Sequence, residues 1–192
     1  METIELFIDA DNIKDGVNAL SFVESPATEE NWVFLNSHKV DFKAIDEEKR
    51  IIIGYALIPD KEIYRKQGDQ EFNIIFSKDT VAKACELYAT RLKNNNTTLE
   101  HTDKTNGVSV IQSWIVEDVE MDKVNLYDLN PILGGWVVIM KIYNDEVWQD
   151  VKLKKYLGIS IEGLFSDKQI EQSIEETEAE DLISKIKKIL CQ

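Results

Sequence analysis

The sequence predicts a mainly β protein with helices, of the α+β class. Three observations lead there. Short runs of alternating or wholly apolar residues, separated by turn chemistry, fill most of the chain. Only two stretches in its first 165 residues, 78–93 and 145–156, carry a helical pattern. The run from Arg50 to Ile58 is almost entirely apolar, the pattern of a strand buried on both faces, as in a barrel wrapped by helices. With 192 residues, 43% of them apolar and 30% charged, the chain can bury the core of one compact domain.

In chain order, residues 2–9 place Ile4, Leu6 and Ile8 in alternation with Glu5 and Phe7, which predicts a strand. Asp11, Asn12, Asp15 and Gly16 are turn residues. From Ala19 to Ala27 the chain is expected to lie extended across the body, because Pro26 forces Ser25 out of the helical region. Ser21 and Ser25 show no chemical signal of their own. His38 falls in a polar strand, Phe34 to Phe42, where a solvent-facing role is expected. After the charged turn Asp46 to Lys49 comes the apolar strand at 50–58, in which Gly54 suggests a bulge or sharp bend. Strands are expected at Ile63–Arg65 and Glu71–Phe76.

Ser77 is a natural N-cap with Asp79 in the first turn, and Val81, Cys85, Tyr88 and Leu92 form one apolar stripe, so 78–93 is a helix. It stops at Asn94–Asn96. Residues 97–101 read as a strand, 103–107 as a turn, and 108–116 as the partner strand, with Val108, Val110, Gln112, Trp114 and Val116 on one side. An acidic loop follows from Glu117 to Gly134-Gly135, then a strand from Trp136 to Ile142. Asn144, Asp145 and Glu146 open a helix that is expected to end at Gly158 in the left-handed conformation. Beyond Phe165 the composition turns acidic. Residues 1–165 are therefore assigned to the folded domain, and 166–192 to an acidic linker with a short amphipathic helix at 182–190 that docks on a partner or tethers to one.

Charge and cysteine content narrow the function. The formal net charge of −14, from 36 acidic and 22 basic residues, disfavours nucleic acid and anionic membrane as partners. The N-terminal residues lack a basic region and an apolar stretch of signal length, and no apolar run approaches the ~20 residues needed to cross a bilayer. Cys85 and Cys191 suggest neither a disulfide framework nor a metal site, so a reducing compartment and no metal or cofactor are expected.

The candidate chemistry lies in Gly158-Ile159-Ser160-Ile161-Glu162-Gly163-Leu164-Phe165. On a strand, Ile159 and Ile161 share one face while Ser160 and Glu162 share the other, about 7 Å apart. This pattern suits a nucleophile with a polar neighbour, and it also suits an ordinary strand with one wet face, on which the Ser160 hydroxyl would face the surface. A serine hydroxyl needs a base within hydrogen-bond reach. The chain has two histidines, and His101, at a strand end, is better placed than His38 among Asn36, Ser37 and Lys39.

Leu99-Glu100-His101 followed by Gly158-Ile159-Ser160-Ile161, with a strand and a short helix between, resembles the prohead (capsid maturation) proteases of tailed phages, in particular the serine protease domain of the XkdF-like phage proteins. Ser21 to Ala27, Gly54 to Asp60 and Ser113 to Asp118 support the resemblance, which covers about residues 20–166. It implies a closed β-barrel surrounded by helices, of the herpesvirus-assemblin type. It also implies a serine endopeptidase that cleaves scaffold and major capsid proteins inside an assembling procapsid in the host cytoplasm, as a homodimer. By this analogy Ser160 is the nucleophile and His101 the base. For the third member, Glu162 is preferred and Glu117 is second; Asp103 is near His101 in sequence but in a turn. Many phage members carry Gly where this chain has Glu162. Two other functions compete: a non-catalytic capsid-assembly or scaffold protein that keeps the fold, and an acidic binding module.

Overall fold

The computed structural model describes residues 2–23, 40–41, 43–46, 49–127 and 129–167. His38, Ser25 and the expected linker and helix from residue 168 onward lie outside the described residues. Among the described residues thirteen strands and two helices follow one another as β1 (Glu2–Phe7), β2 (Gly16–Val23), β3 (Val40–Asp41), β4 (Lys43–Asp46), β5 (Ile51–Leu57), β6 (Ile63–Gln67), β7 (Gln70–Phe76), α1 (Lys78–Thr90), β8 (Thr97–Leu99), β9 (Asp103–Thr105), β10 (Val108–Ile115), β11 (Trp136–Ile142), α2 (Asp145–Lys152), β12 (Gly158–Leu164) and β13 (Ser166–Asp167). A short 3-10 turn spans Lys123–Tyr127.

The mainly β character with helices is present, but the expected closed barrel is not. The strands form three open sheets, ordered β13-β1-β7-β6, β10-β11-β5-β4 and β3-β12-β2-β8-β9, and among the described residues none closes on itself. Two of them contain a parallel pair, β1 with β7 and β2 with β8. The two-sided burial of β5 has a different cause from the one expected. Ile52 and Ala56 face a main core shared with Val138 and Met140, while Ile53 and Tyr55 face a second cluster with Val137, Ile139, Val116 and Val124. That second face is covered by the segment after β10, not by helices around a barrel. Tyr55 pins this segment in place: its hydroxyl donates to the Asn130 carbonyl at 2.8 Å and accepts from the Ile132 N–H at 2.9 Å.

The main core draws from all three sheets, with Leu6, Ile74 and Phe76 from the first, Leu20, Phe22, Ile159 and Ile161 from the third, and Val81, Tyr88, Val147 and Trp148 from the helices. Both helix starts follow their caps. The Ser77 side chain accepts from the Thr80 N–H at 3.4 Å, and that of Asn144 accepts from the Val147 N–H at 3.1 Å. The ends differ from expectation. Leu92 lies beyond α1, left-handed and 84% exposed, so it does not extend the apolar stripe. Lys154, with φ of 56°, makes the left-handed turn after α2, and Gly158 instead opens β12.

Strand partners also differ. Residues 97–99 pair with β2 and β9, and β10 pairs with β11 rather than with the 97–101 segment. Gly54 lies in register opposite Val138, and the bulge in β5 falls two residues on, at Ala56, between the Leu57–Trp136 and Tyr55–Val137 pairs. A further bulge lies in β10 between Val110 and Gln112. The extra residue resets the alternation, so Val108 and Val110 enter the main core while Trp114 and Val116 join the second cluster, on the opposite face.

Another bulge lies in β2, where Asn18 has no partner between the Glu162–Ala19 and Gly163–Val17 pairs, and here β12 runs close to the start of β2. A Cβ at Gly163 would lie 2.4 Å from the Gly16 carbonyl oxygen, a backbone atom that cannot rotate away. Gly163→Ala is expected to destabilise the domain by about 1–3 kcal/mol, read as a lowered Tm in calorimetry; an unchanged Tm would show that β12 and β2 do not approach this closely. Ile52 is fully buried, so Ile52→Asp should cost several kcal/mol through an unpaired buried charge and abolish the cooperative melt.

Candidate active site

The site is built on the five-stranded sheet. Along β12, Ile159 and Ile161 point into the core, which leaves Ser160 and Glu162 on the opposite face. The neighbouring strand β2 alternates in the same way, with Leu20 and Phe22 in the core and Ser21 between them. Ser21 is registered opposite Ser160 on one side and opposite Thr98 of β8 on the other. Paired residues on adjacent strands project to the same side, with Cβ atoms about 4.5–5.5 Å apart. Three hydroxyl side chains therefore form a row across β12, β2 and β8.

His101 reaches this row through an unusual turn. Glu100 and His101 are both left-handed, with φ of 48° and 58°, and are the only consecutive non-glycine pair of that kind among the described residues. Each such residue costs about 1 kcal/mol or more. Backbone bonds hold the turn against β2: the Glu100 N–H donates to the Phe22 carbonyl at 2.9 Å, and the His101 N–H donates to Ser21 Oγ at 3.0 Å. The Thr102 N–H closes back on the Leu99 carbonyl at 3.1 Å. The strand expected to include His101 thus ends at Leu99, and the histidine occupies the turn.

The imidazole is almost wholly buried, its side chain 7% exposed, and its Nδ1 lies 3.2 Å from Oε1 of Glu162. The same Oε1 accepts a short hydrogen bond from the Thr98 hydroxyl. Burial opposes ionisation of Glu162, but the hydrogen bonds from His101 and Thr98, aided by attraction to His101, outweigh it and hold the carboxyl below its ordinary value of 4.5. An ionised carboxylate can only accept. The proton of the pair is therefore on Nδ1, and in the neutral ring the lone pair falls on Nε2, the atom a general base would use.

The structure brings together Ser160, His101 and Glu162 on one sheet face, with His101 and Glu162 in direct contact. Glu117 is exposed on the loop after β10, in a different sheet. The backbone of Asp103 opens β9. Ser160 departs from expectation in one respect: it is 2% exposed, a buried hydroxyl rather than a surface one. Ser21 and Thr98 were not marked out by sequence reasoning. Strand alternation alone puts Ser21 opposite its apolar neighbours Leu20 and Phe22, but only the register between strands shows that it stands beside Ser160.

A family model described as "Putative phage serine protease XkdF" matches residues 39–171. The chain belongs to this family. The match contains Thr98, His101, Ser160 and Glu162, and Ser21 lies upstream of it. No curated protein and no solved structure matches the chain. The open sheets do not reproduce the closed barrel of the herpesvirus-assemblin type that the resemblance implies.

The Glu162 carboxyl gives a pH signature. Because its folded value lies below the unfolded 4.5, the ionised form stabilises the fold above that pH, and the contribution is lost as pH falls through the folded value. The Tm of the native protein should therefore fall more steeply on acidification than that of Glu162→Gln, the two converging once the pH lies below the folded value. Thermal melts across that range check this, and parallel curves would show that the carboxylate gains nothing from its partners.

Proposed function

We propose that this phage serine protease family member is an endopeptidase that cleaves scaffold and major capsid proteins during prohead maturation, with Ser160 as nucleophile, His101 as base and Glu162 as the group that fixes the imidazole. The observation that carries this reading is the contact of His101 Nδ1 with the Glu162 carboxylate at 3.2 Å, on the strand face that holds Ser160 two residues earlier. It is the orienting half of a Ser–His–acid arrangement.

In the proposed reaction, Nε2 of His101 takes the Ser160 hydroxyl proton as Oγ attacks the scissile carbonyl carbon. The tetrahedral intermediate collapses as the same proton passes to the leaving amine, which gives an acyl-enzyme on Ser160. A water then loses a proton to Nε2 and attacks the acyl carbon, and return of the proton to Oγ releases the carboxylic product. Glu162 stays ionised throughout and stabilises the imidazolium formed in each half-reaction. Because Ser160 is 2% exposed, the substrate must displace the groups that cover this face before attack. The resemblance further supports action as a homodimer within the assembling procapsid in the host cytoplasm, with residues 166–192 as the tether to an assembly partner.

The burial of Ser160 also favours a second reading, a non-catalytic capsid-assembly protein that keeps the protease fold. A serine-directed fluorophosphonate separates the two: labelling at Ser160 supports the protease, and an inert Ser160 supports the assembly protein. Ser160→Ala should abolish cleavage of the capsid partners while costing about 1 kcal/mol of stability, the typical value of one lost hydrogen bond. His101→Ala should lower kcat by about a thousandfold or more. Undiminished cleavage by the Ser160 variant in a fragment assay would overturn the assignment.

A further inference from the structure

Two hydroxyls beside the His101–Glu162 pair each hold one of its members. Thr98 Oγ1 donates to Glu162 Oε1, the oxygen that also faces His101 Nδ1, so two donors converge on one carboxylate atom. Ser21 Oγ accepts the backbone N–H of His101 at 3.0 Å and so holds the left-handed turn from which the imidazole projects. Both hydroxyls are registered side by side on β2 and β8, and Ser21 is fully buried. We propose that Thr98 and Ser21 are positioning residues, Thr98 fixing the carboxylate and Ser21 fixing the imidazole backbone, so that His101 holds its proton on Nδ1 and presents Nε2 towards Ser160.

The physical case is one of direction. A carboxylate on a half-buried strand residue can rotate about its side-chain torsions, and a single bond to a ring nitrogen leaves that rotation partly open. A second donor on the same oxygen closes it. The left-handed backbone at Glu100 and His101 is unfavourable by itself, and without an acceptor at Ser21 the His101 N–H would lose its partner in a buried setting. Loss of either hydroxyl should therefore leave the sheet intact and loosen the ring.

This proposal rests on the protease reading for its consequence in catalysis, but its test does not need activity. The first measurement is the imidazole 15N spectrum of the native protein, with His38→Gln to assign the two histidines. The expected pattern for His101 is a neutral ring protonated on Nδ1. Thr98→Val and Ser21→Ala should each shift it towards a tautomer mixture, and Thr98→Ser, which keeps the donor, should restore the native pattern. In fluorophosphonate labelling of Ser160, a misplaced base should slow Thr98→Val and Ser21→Ala by about tenfold or more, with Thr98→Ser within about threefold of native. A native ring protonated on Nε2, or a spectrum that Thr98→Val and Ser21→Ala leave unchanged, overturns the proposal. If Ser21→Ala fails to fold, the comparison of Thr98→Val with Thr98→Ser decides. An inert Ser160 with the expected 15N shifts would refute the protease reading and leave the positioning role standing.

Discussion

Everything at the candidate site depends on β2 as the central strand of its sheet. It pairs antiparallel with β12 through Gly158 to Leu164 and parallel with β8 through Leu20, Ser21 and Phe22. That double pairing sets Ser160, Ser21 and Thr98 in one row, and it also supplies both acceptors of the left-handed turn, the Phe22 carbonyl and the Ser21 hydroxyl. A slip of one residue in either pairing would turn every side chain of the slipped strand to the other face. The apolar alternates of the same strands guard against this. Leu20, Phe22, Ile159 and Ile161 are almost completely buried, and a slip would exchange them with the polar row. The core thus enforces the geometry of the site from the opposite face of its strands.

The polar side of the sheet is drier than its chemistry suggests. Ser21 and Ser160 are buried, and the His101 side chain nearly so. In such surroundings a hydrogen bond or ion pair is stronger than in water, and an unpartnered group costs more. The same logic explains Asp15, a buried carboxylate at the entrance to β2. It accepts from the Asp9 N–H, the Asn12 amide and the Ser166 hydroxyl, and its backbone carbonyl accepts from Arg91. This network joins the start of β2 to the end of α1 and to the chain's last described strand. It is a structural counterpart to the Glu162 cluster.

Much of this was legible in the residues, and what was not has a common cause. Strand and helix identities follow local pattern, so β11 lies over Trp136–Ile142 as expected and both N-caps act as such. The shared face of Ser160 and Glu162 follows from the period of two. Features that depend on a neighbour were misjudged. The bulge in β10 swaps the face of Trp114 and Val116, and nothing local announces it. A lysine, not the nearby glycine, supplies the left-handed turn after α2. Two-sided burial of β5 reports that both faces are covered, but not what covers them, and a barrel with outer helices leaves the same trace as an open sheet between two clusters. Exposure of Ser160 is likewise a tertiary property that alternation cannot supply.

The separation of the site's parts along the chain has a consequence in time. Ser21 and His101 are 80 positions apart, and His101 and Glu162 a further 61. Contacts of this range form slowly, because loop closure comes before the contact that rewards it. Chains also emerge from the ribosome N-terminus first, so β2 and β8 can meet while β12 is still unmade. The turn at His101 then has its Ser21 anchor but neither its carboxylate nor the proposed nucleophile. The last strand of the sheet to be synthesised carries both at once. Under the proposed function, the order of synthesis itself delays the appearance of the complete Ser160–His101–Glu162 group until β12 is made.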